Sequence, residues 1–299
     1  MGTVTESPYR LAWRVTEPLH AMVYFVPEAP ARYAKFGIEG MDGYFASRGA
    51  ALGPVGPELV TAVFYNFNPA LVSRAIPSVW TKATPEQLVQ ARLEAADAAL
   101  TRGLGAEVVD GPEIAEAAVL ARRAAEKAVT LPHGRPLFAA HAALPWPDRP
   151  HLVLFHAQML LREFRGDGHV AALLANGISG LDAIVMHAAS GEIDPRFLRG
   201  TRGWTGEQWA EAEGDLRRSG LLDDEGRLTE AGVALRAHVE DRTDQVAEVA
   251  YRAIGEEGCR RLAELTRPLS RTIVKGGLLN PMNLVTHSSR PNHLPEGNQ

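Results

Sequence analysis

The chain has 299 residues, of which 45% are hydrophobic, with a formal net charge of -5 and an isoelectric point near 6.1. This balance carries no sign of a nucleic-acid or anionic-membrane partner for the chain as a whole. The single cysteine, Cys259, excludes a disulfide framework and a cysteine-based zinc cluster, and no apolar run approaches the roughly twenty residues that span a bilayer. We therefore expect a cytoplasmic protein with no membrane partner.

Most of the chain is predicted to be helical. A first helix is expected over residues 17–24. Alanine-rich stretches at 88–100 and 113–128 combine high helix propensity with apolar residues at three- and four-residue spacing. Pro85 suits the first turn of a helix that follows Thr84, because the missing amide proton costs little there.

Proline residues interrupt the middle of the chain. Five of them fall between residues 131 and 150, which excludes a continuous helix and predicts a linker. The next segment, 151–164, is apolar enough to be a buried helix, and the polar tail from residue 281 is expected to be extended or disordered. These features divide the chain into a first copy (1–130), a linker (131–150), a second copy (151–270) and a tail (271–299).

The two copies are named for an internal repeat. The segment GIEGMD at 37–42 returns as GISGLD at 177–182, with four identities in six at an offset of 140. The match continues from Trp80-Thr81 to Trp204-Thr205, and the offset then shrinks steadily along the chain. Loops of different length between equivalent elements produce such shrinkage. Since a solenoid needs three or more repeats, we predict two diverged copies of one supersecondary unit.

The second copy ends in a helix, a tight turn and a further helix. The helix begins near Trp209 and closes at Gly220-Leu221, an acidic turn occupies 223–226, and Leu228-Thr229 precedes the next helix. Over about residues 177–245 this pattern resembles a MarR-type winged helix-turn-helix, with its recognition helix, wing hairpin and following helix. The resemblance implies a mainly α fold of two diverged winged-helix-like copies with small wing hairpins.

A second resemblance rests on short motifs that are spread over nearly the whole chain. They are Glu17–Ala21, Tyr24-Phe25, Pro27-Glu28, Phe64-Tyr65, Ile76-Pro77, Trp80, Arg162-Glu163, Arg165–His169 and Arg202–Trp204. Together they resemble an actinobacterial family of proteins named only for its helix-turn-helix fold. The name describes a fold and implies no activity. Members often have His where this chain has Phe164, so any role of that histidine is lost here.

The predicted recognition helices have an unfavourable charge for DNA, because phosphate neutralisation by Lys and Arg supplies most of the affinity of a winged helix. The net charge is -2 over residues 205–220, which contain four acids and two arginines. It is also -2 over residues 223–227, with three acids and one arginine, and -1 over residues 84–102, with three acids and two arginines. A ligand-responsive, MarR-like transcription regulator is therefore the alternative function. It would need the expected homodimer to gather basic side chains on one face.

One segment of the second copy, residues 165–169, corresponds to residues 25–29 of the first copy, which contain neither Arg nor His. Arg162 and Arg165 are three residues apart on a helix that we expect to break at 166–168, with Asp167 at the start of the next helix. Two guanidiniums beside a helix N-terminus form a receptor for carboxylate or phosphate. His169, close to Asp167, is a candidate general acid or base. The structural alternative is that Asp167 only caps a helix.

The first copy contains Glu17 and His20 one helical turn apart, with Tyr24 one turn further. Carboxylate and imidazole metal ligands in helical bundles use this spacing. A buried, hydrogen-bonded histidine explains the same pattern more often, so no metal site is predicted. His20 and Tyr24 remain candidate ligand-binding residues.

An aromatic segment over 64–68 supplies further candidates. It either packs in the core or forms a wall over a planar ligand, with Tyr65, Asn66 and Asn68 as orienting polar groups. In the second copy His187 is expected to line the same cavity as His169.

No phosphate-binding loop, nucleophile elbow or cofactor fingerprint is present, so the cofactor stays unknown and no reaction is specified. The predicted function is binding of a small anionic or aromatic metabolite on a repurposed winged-helix scaffold. An enzyme of secondary metabolism and a non-catalytic binding protein fit the sequence equally.

Overall fold

The computed structural model describes residues 6–279, and this part of the chain contains fifteen α-helices and no strand. The helices are α1 (Pro8–Ala21), α2 (Glu28–Tyr33), α3 (Gly40–Gly49), α4 (Pro57–Phe64), α5 (Pro69–Ala75), α6 (Pro85–Leu104), α7 (Ala106–Val109), α8 (Pro112–Val129), α9 (Pro136–Ala142), α10 (Pro150–Ala175), α11 (Gly180–Ala189), α12 (Pro195–Arg202), α13 (Gly206–Arg218), α14 (Glu230–Tyr251) and α15 (Gly255–Lys275). Short 3-10 helices lie at Met22–Tyr24, Ala34–Phe36, Ala50–Leu52 and Ser78–Thr81. The mainly helical fold is confirmed.

Capping residues and prolines fix where the helices begin. The Thr84 hydroxyl accepts the Gln87 N–H, and the Gln87 side chain accepts the Thr84 N–H, which forms a capping box ahead of α6. Pro85 occupies the first turn, as predicted. Thr205 and Gln208 form the same capping box ahead of α13.

Helix α10 is the centre of the molecule and packs against α1, α8, α9 and α14. The predicted break at 166–168 is wrong, because α10 runs without interruption through both glycines. A Cβ atom on Gly168 would lie 2.7 Å from an Arg135 side-chain nitrogen, so glycine here permits a close approach of neighbouring groups. Tertiary packing therefore overrides the low helix propensity of glycine.

The hydrophobic core is divided into clusters. The largest combines residues of α1, α6, α8, α10 and α15 and thus draws on both predicted copies. A second lies among α2 to α6. Helices α11, α12 and α13 form a third around Val185, Leu198, Trp209 and Leu216, and we call these three helices the α11–α13 unit. The unit therefore has its own core.

The predicted wing hairpins are reduced in the described residues to one isolated antiparallel bridge, between Leu222 and Leu228. It is closed by a hydrogen bond of 2.9 Å from the Asp223 N–H to the Arg227 carbonyl. In the first copy a short helix, α7, occupies the corresponding place between α6 and α8.

The Pro-rich segment 131–150 contains helix α9, which buries Leu137, Phe138 and His141. Of the predicted tail, residues 280–299 lie outside the described part of the chain. Between residues 6 and 279 no single helix is long and apolar enough to cross a membrane. Helices α10 and α11, bent by 96° to one another, meet that test as a pair by length and composition alone.

Candidate functional site

A cavity of about 580 Å³ lies beside helix α10. Helix α3 and segment 63–67 line one side, α10 lines the second, and α11, α12 and α14 line the third. Five arginines border it: Arg10, Arg48, Arg162, Arg202 and Arg236. Four carboxylates do so as well: Glu163, Asp167, Glu192 and Glu240. The size suits a small organic molecule.

A buried ion pair forms part of the cavity wall. Arg48 donates from Nη2 and Nε to the two carboxylate oxygens of Glu163, at 2.7 and 2.9 Å, and from Nη1 to the Tyr44 hydroxyl at 3.0 Å. The Glu163 side chain is 1% exposed. Burial alone raises the pKa of Glu163, but the Arg48 guanidinium outweighs it and holds this pKa well below its usual range. The charges of this pair therefore satisfy each other.

Arg202 differs from the other arginines of the cavity because, within residues 6–279, it forms no ion pair with a carboxylate. Its guanidinium carbon lies 4.6 Å from the centre of the Phe67 ring, and Nη1 donates to the Thr201 hydroxyl at 3.0 Å. Its Nε is buried and has no hydrogen-bond partner among the described residues. Burial lowers the pKa of Arg202, and the charges of Arg48 and Arg162 lower it further. Arg202 thus has unused capacity to bind an anion.

More exposed groups form the mouth of the cavity. The side chains of His169, His187, Glu192 and Glu240 are 38%, 32%, 62% and 42% exposed. His187 lies 3.3 Å from an Arg236 nitrogen and 3.6 Å from a Glu192 oxygen. Both predicted histidines therefore border the same cavity.

The hydrogen bonds of His169 define its tautomer. Its Nδ1 lies 2.9 Å from the Thr243 hydroxyl oxygen, and that hydroxyl donates to the Val239 carbonyl at 2.7 Å. Because the hydroxyl proton is used there, Nδ1 donates and Nε2 of the neutral ring is left as the base. Burial lowers the pKa of His169, although Glu240 raises it.

Asp167 lines the cavity and is 7% exposed. Its Oδ2 accepts the Phe138 N–H at 2.9 Å, so it caps the first turn of α9, a helix distant in sequence. The expectation that Asp167 caps the helix carrying His169 is therefore wrong. Burial raises the pKa of Asp167 to about 6, and the Phe138 N–H opposes the rise.

Arg162 and Arg165 do not form one anion receptor. Arg162 lines the cavity and pairs with Glu17. Arg165 lies outside the cavity lining, where it donates to Asp244 at 2.5 Å and to Glu240 at 2.9 Å. Both arginines are therefore already paired, and a separation of three residues points them towards different neighbours.

His20 and Tyr24 lie behind the wall of the cavity and do not line it. An Arg92 nitrogen lies 3.0 Å from His20 Nε2 and donates to the Tyr24 hydroxyl at 2.8 Å. Burial, together with the Arg92 charge, lowers the pKa of His20 well below its usual range. His20 is thus a neutral core acceptor. Among the described residues, no group of three or more His, Cys, Asp and Glu side chains is placed to hold a metal ion.

The aromatic segment contributes to the cavity through an unusual turn. Tyr65 has φ 41° and ψ -53°, and the Asn66 N–H donates to the Phe64 carbonyl at 2.5 Å. This is a γ-turn of the rare, strained kind. It places residues 64–67 along the cavity. Asn68 is not in the lining, because its side chain caps α5 by accepting the Ala70 N–H at 2.9 Å.

Sequence reasoning gave no role to Tyr44, Arg48, Glu163 or Arg202. Glu163 and Arg202 occur in the motifs Arg162-Glu163 and Arg202–Trp204, and this was the only signal for them. Arg48 and Glu163 are 115 residues apart, so no local pattern predicts that they pair.

No curated protein and no solved structure matched the chain. A family model described as a helix-turn-helix family matches residues 9–280. The match covers most of the 299 residues, so the chain belongs to this helix-turn-helix family.

Proposed function

We propose that the protein binds a small organic anion in the cavity between its two halves. The observation that carries the proposal is Arg202, a cation that borders the cavity without a carboxylate partner in the described residues. Partly buried charges are costly unless they are paired, and a bound carboxylate or phosphate would supply the missing partner.

Neighbouring groups support the same ligand charge. Arg48 and Arg162 act electrostatically on Arg202, and each already shares its charge with one carboxylate. The positive charge that remains available to an anion is therefore that of Arg202 itself. Phe67 and Tyr44, with ring centres 5.5 Å apart, provide an aromatic surface beside it. A carboxylate attached to a flat or apolar group matches both features.

Proton transfer within the cavity is proposed to involve Asp167 and His169. The pKa of about 6 gives Asp167 access to both protonation states near neutral pH. His169 presents a free Nε2 once Nδ1 donates to Thr243. Tyr65, Asn66 and His187 are proposed as further ligand contacts, since they line the cavity. A non-catalytic binding role would need only the anion-binding arginine, Arg202, and no proton transfer.

Two variants of helix α12 test the proposal. Arg202→Met removes the unpaired guanidinium, whereas Arg199→Met removes an exposed guanidinium one turn away, outside the cavity lining. Isothermal titration with benzoate, phenylacetate and inorganic phosphate should show binding that is lost in Arg202→Met and kept in Arg199→Met. Equal binding by both variants, or none by the natural protein, would overturn the proposal. Native mass spectrometry of the purified protein would identify a ligand that copurifies.

DNA binding is the second candidate, and membership of the helix-turn-helix family favours it. The exposed residues of α13 oppose it, because they include Glu207, Glu211 and Asp215. Helix α6 of the first copy is packed against α2, α3 and α10. A regulator should bind duplex DNA with an affinity that falls by orders of magnitude between about 50 and 200 mM salt. Fluorescence anisotropy with random and genomic fragments would measure this.

We also propose that the fold arose by duplication of a winged-helix-like unit. Support comes from the order of the helices and from the capping boxes Thr84-Gln87 and Thr205-Gln208. This equivalence pairs Thr205 with Thr84 in place of Thr81, which ends a 3-10 helix. Each of these boxes begins a helix that is followed by a long helix, α8 or α14.

A further inference from the structure

The lining of the cavity changes from charged to apolar along helix α10. Its lining residues recur at three- and four-residue spacing from Arg162 to Leu173, as expected for one helix face. At about 1.5 Å per residue, this stripe is roughly 16 Å long. It begins with Arg162 and Glu163 and ends with Val170 and Leu173. The two ends of the cavity therefore differ in polarity.

The opposite wall is charged beside Glu163, and on the α14 wall the apolar Val239 lies next to Glu240 in the lining. Glu163 at the charged end faces Arg48, and Arg202 lies near this pair over the Phe67 ring. This end contains the unpaired cation, so an acid group is best accommodated here.

At the other end, Leu173 shares a hydrophobic cluster with Ile178 and Val239. The rings and methyl groups of Tyr65 and Ala183 pack against this cluster, and both residues also line the cavity. The Tyr65 hydroxyl donates to the Ile178 carbonyl at 2.5 Å, so these two polar groups satisfy each other. The local surface thus favours an apolar group.

We infer that the ligand is an amphipathic carboxylic acid, with its acid group beside Arg202 and an apolar chain or ring that extends towards Leu173 and Ile178. This inference rests on the proposed function and adds the ligand class to it. A compact anion such as phosphate would leave the apolar end in contact with water. An apolar tail would remove that surface from water, with a gain of roughly threefold to fourfold in affinity per buried methylene.

Titration of the full chain with acetate, butyrate, hexanoate, octanoate and phenylbutyrate tests this. Affinity should rise by roughly threefold to fourfold per methylene and level off once the apolar end is filled. Phosphate should bind more weakly than octanoate. Affinities that are independent of chain length would overturn the inference.

Two variants narrow the apolar end from different walls. Val170→Phe acts from α10 and Ala183→Leu acts from α11, and each should weaken octanoate at least tenfold while leaving butyrate unchanged. Leu174→Phe is the matched control, because Leu174 is 62% exposed and lies outside the cavity lining. Circular dichroism and thermal unfolding would verify that each variant is folded. If both cavity variants are folded and neither lowers the affinity for octanoate relative to butyrate, the inference is contradicted.

The outcomes separate the two proposals. If binding depends on Arg202 but affinity does not change with chain length or with Val170→Phe, the proposed function stands and the inference of an amphipathic ligand is wrong. Chain-length dependence that survives Arg202→Met places the acid group elsewhere and overturns the inferred orientation. If the protein binds neither a carboxylate nor phosphate, the proposed function itself is wrong.

Discussion

The backbone N–H of Asn68 donates to the carbonyl of Arg202 at 2.9 Å. The residue whose guanidinium borders the cavity therefore also joins the C-terminal end of α12 to the segment before α5. Trp204 reinforces this joint by donating from Nε1 to the Asn66 carbonyl at 3.0 Å, and Asn68 Nδ2 donates to Gln208 at 3.1 Å. Because the α11–α13 unit has its own core, these bonds help to fix its position beside the cavity.

The joint depends on a close backbone approach at Gly180. A Cβ atom on Gly180 would lie 1.9 Å from the Tyr65 carbonyl oxygen, which belongs to the strained γ-turn. Gly180→Ala should therefore destabilise the protein by about 2–4 kcal/mol, since backbone must move. Urea unfolding measures this.

Gly200 provides the matched control. It lies inside α12, and a Cβ atom there meets nothing within 4 Å. Gly200→Ala should stabilise the protein by about 0.5–1 kcal/mol through helix propensity. Equal effects of Gly180→Ala and Gly200→Ala would show that the contact with Tyr65 is not tight.

Breaking the buried Arg48–Glu163 pair should be costly. Glu163→Gln or Arg48→Met alone should lower the free energy of unfolding by about 3–5 kcal/mol, because each leaves one buried charge without its partner. The double variant should lose less than the sum of the two single losses. Additive losses in a double-mutant cycle would contradict direct pairing.

The same pair predicts a pH dependence. The pKa of Glu163 is lowered from its usual 4.5 in the folded state. Its stabilising contribution is therefore fully present above pH 4.5 and is lost as the pH falls further towards the folded pKa. The difference in stability between the natural protein and Glu163→Gln should shrink below pH 4.5. A constant difference down to acid unfolding would be inconsistent with this.

For Asp167 we predict a change of stability with pH that has the opposite sign. Its pKa rises from 3.8 to about 6 on folding, because burial disfavours the carboxylate. The folded state then holds the proton more tightly, so stability falls as the pH increases through the window between 3.8 and about 6. Asp167→Asn can keep the Phe138 N–H bond without the charge. Its stability relative to the natural protein should improve by about 1–3 kcal/mol between pH 4 and pH 8, as measured by urea unfolding across that range.

The Cys259 thiol should not react with thiol reagents in the folded protein. It is fully buried, and burial raises its pKa to about 12. A thiol reagent at pH 8 should react only after unfolding in urea. Rapid reaction of the native protein would indicate that α15 opens locally.

Local chemistry explains what could be predicted from the sequence. Thr84, Pro85 and Gln87 determine where α6 begins, because capping and proline effects act within one turn. The alanine-rich spacing likewise predicted α8, and the regular apolar pattern predicted α10 up to residue 164. Asp167 was recognised as a capping residue, but the helix that it caps, α9, begins 31 residues earlier.

The amino-acid sequence by itself determined where α6 and α8 lie, the acidic character of α13 and the presence of His169 and His187 in one candidate region. Only the tertiary structure decided which cations are free. Arg165 is neutralised by Glu240 and Asp244 of α14, whereas Arg202 has no carboxylate partner within residues 6–279. Helical propensity depends on neighbours along the chain, but the availability of a charge depends on groups that folding brings near it from distant positions.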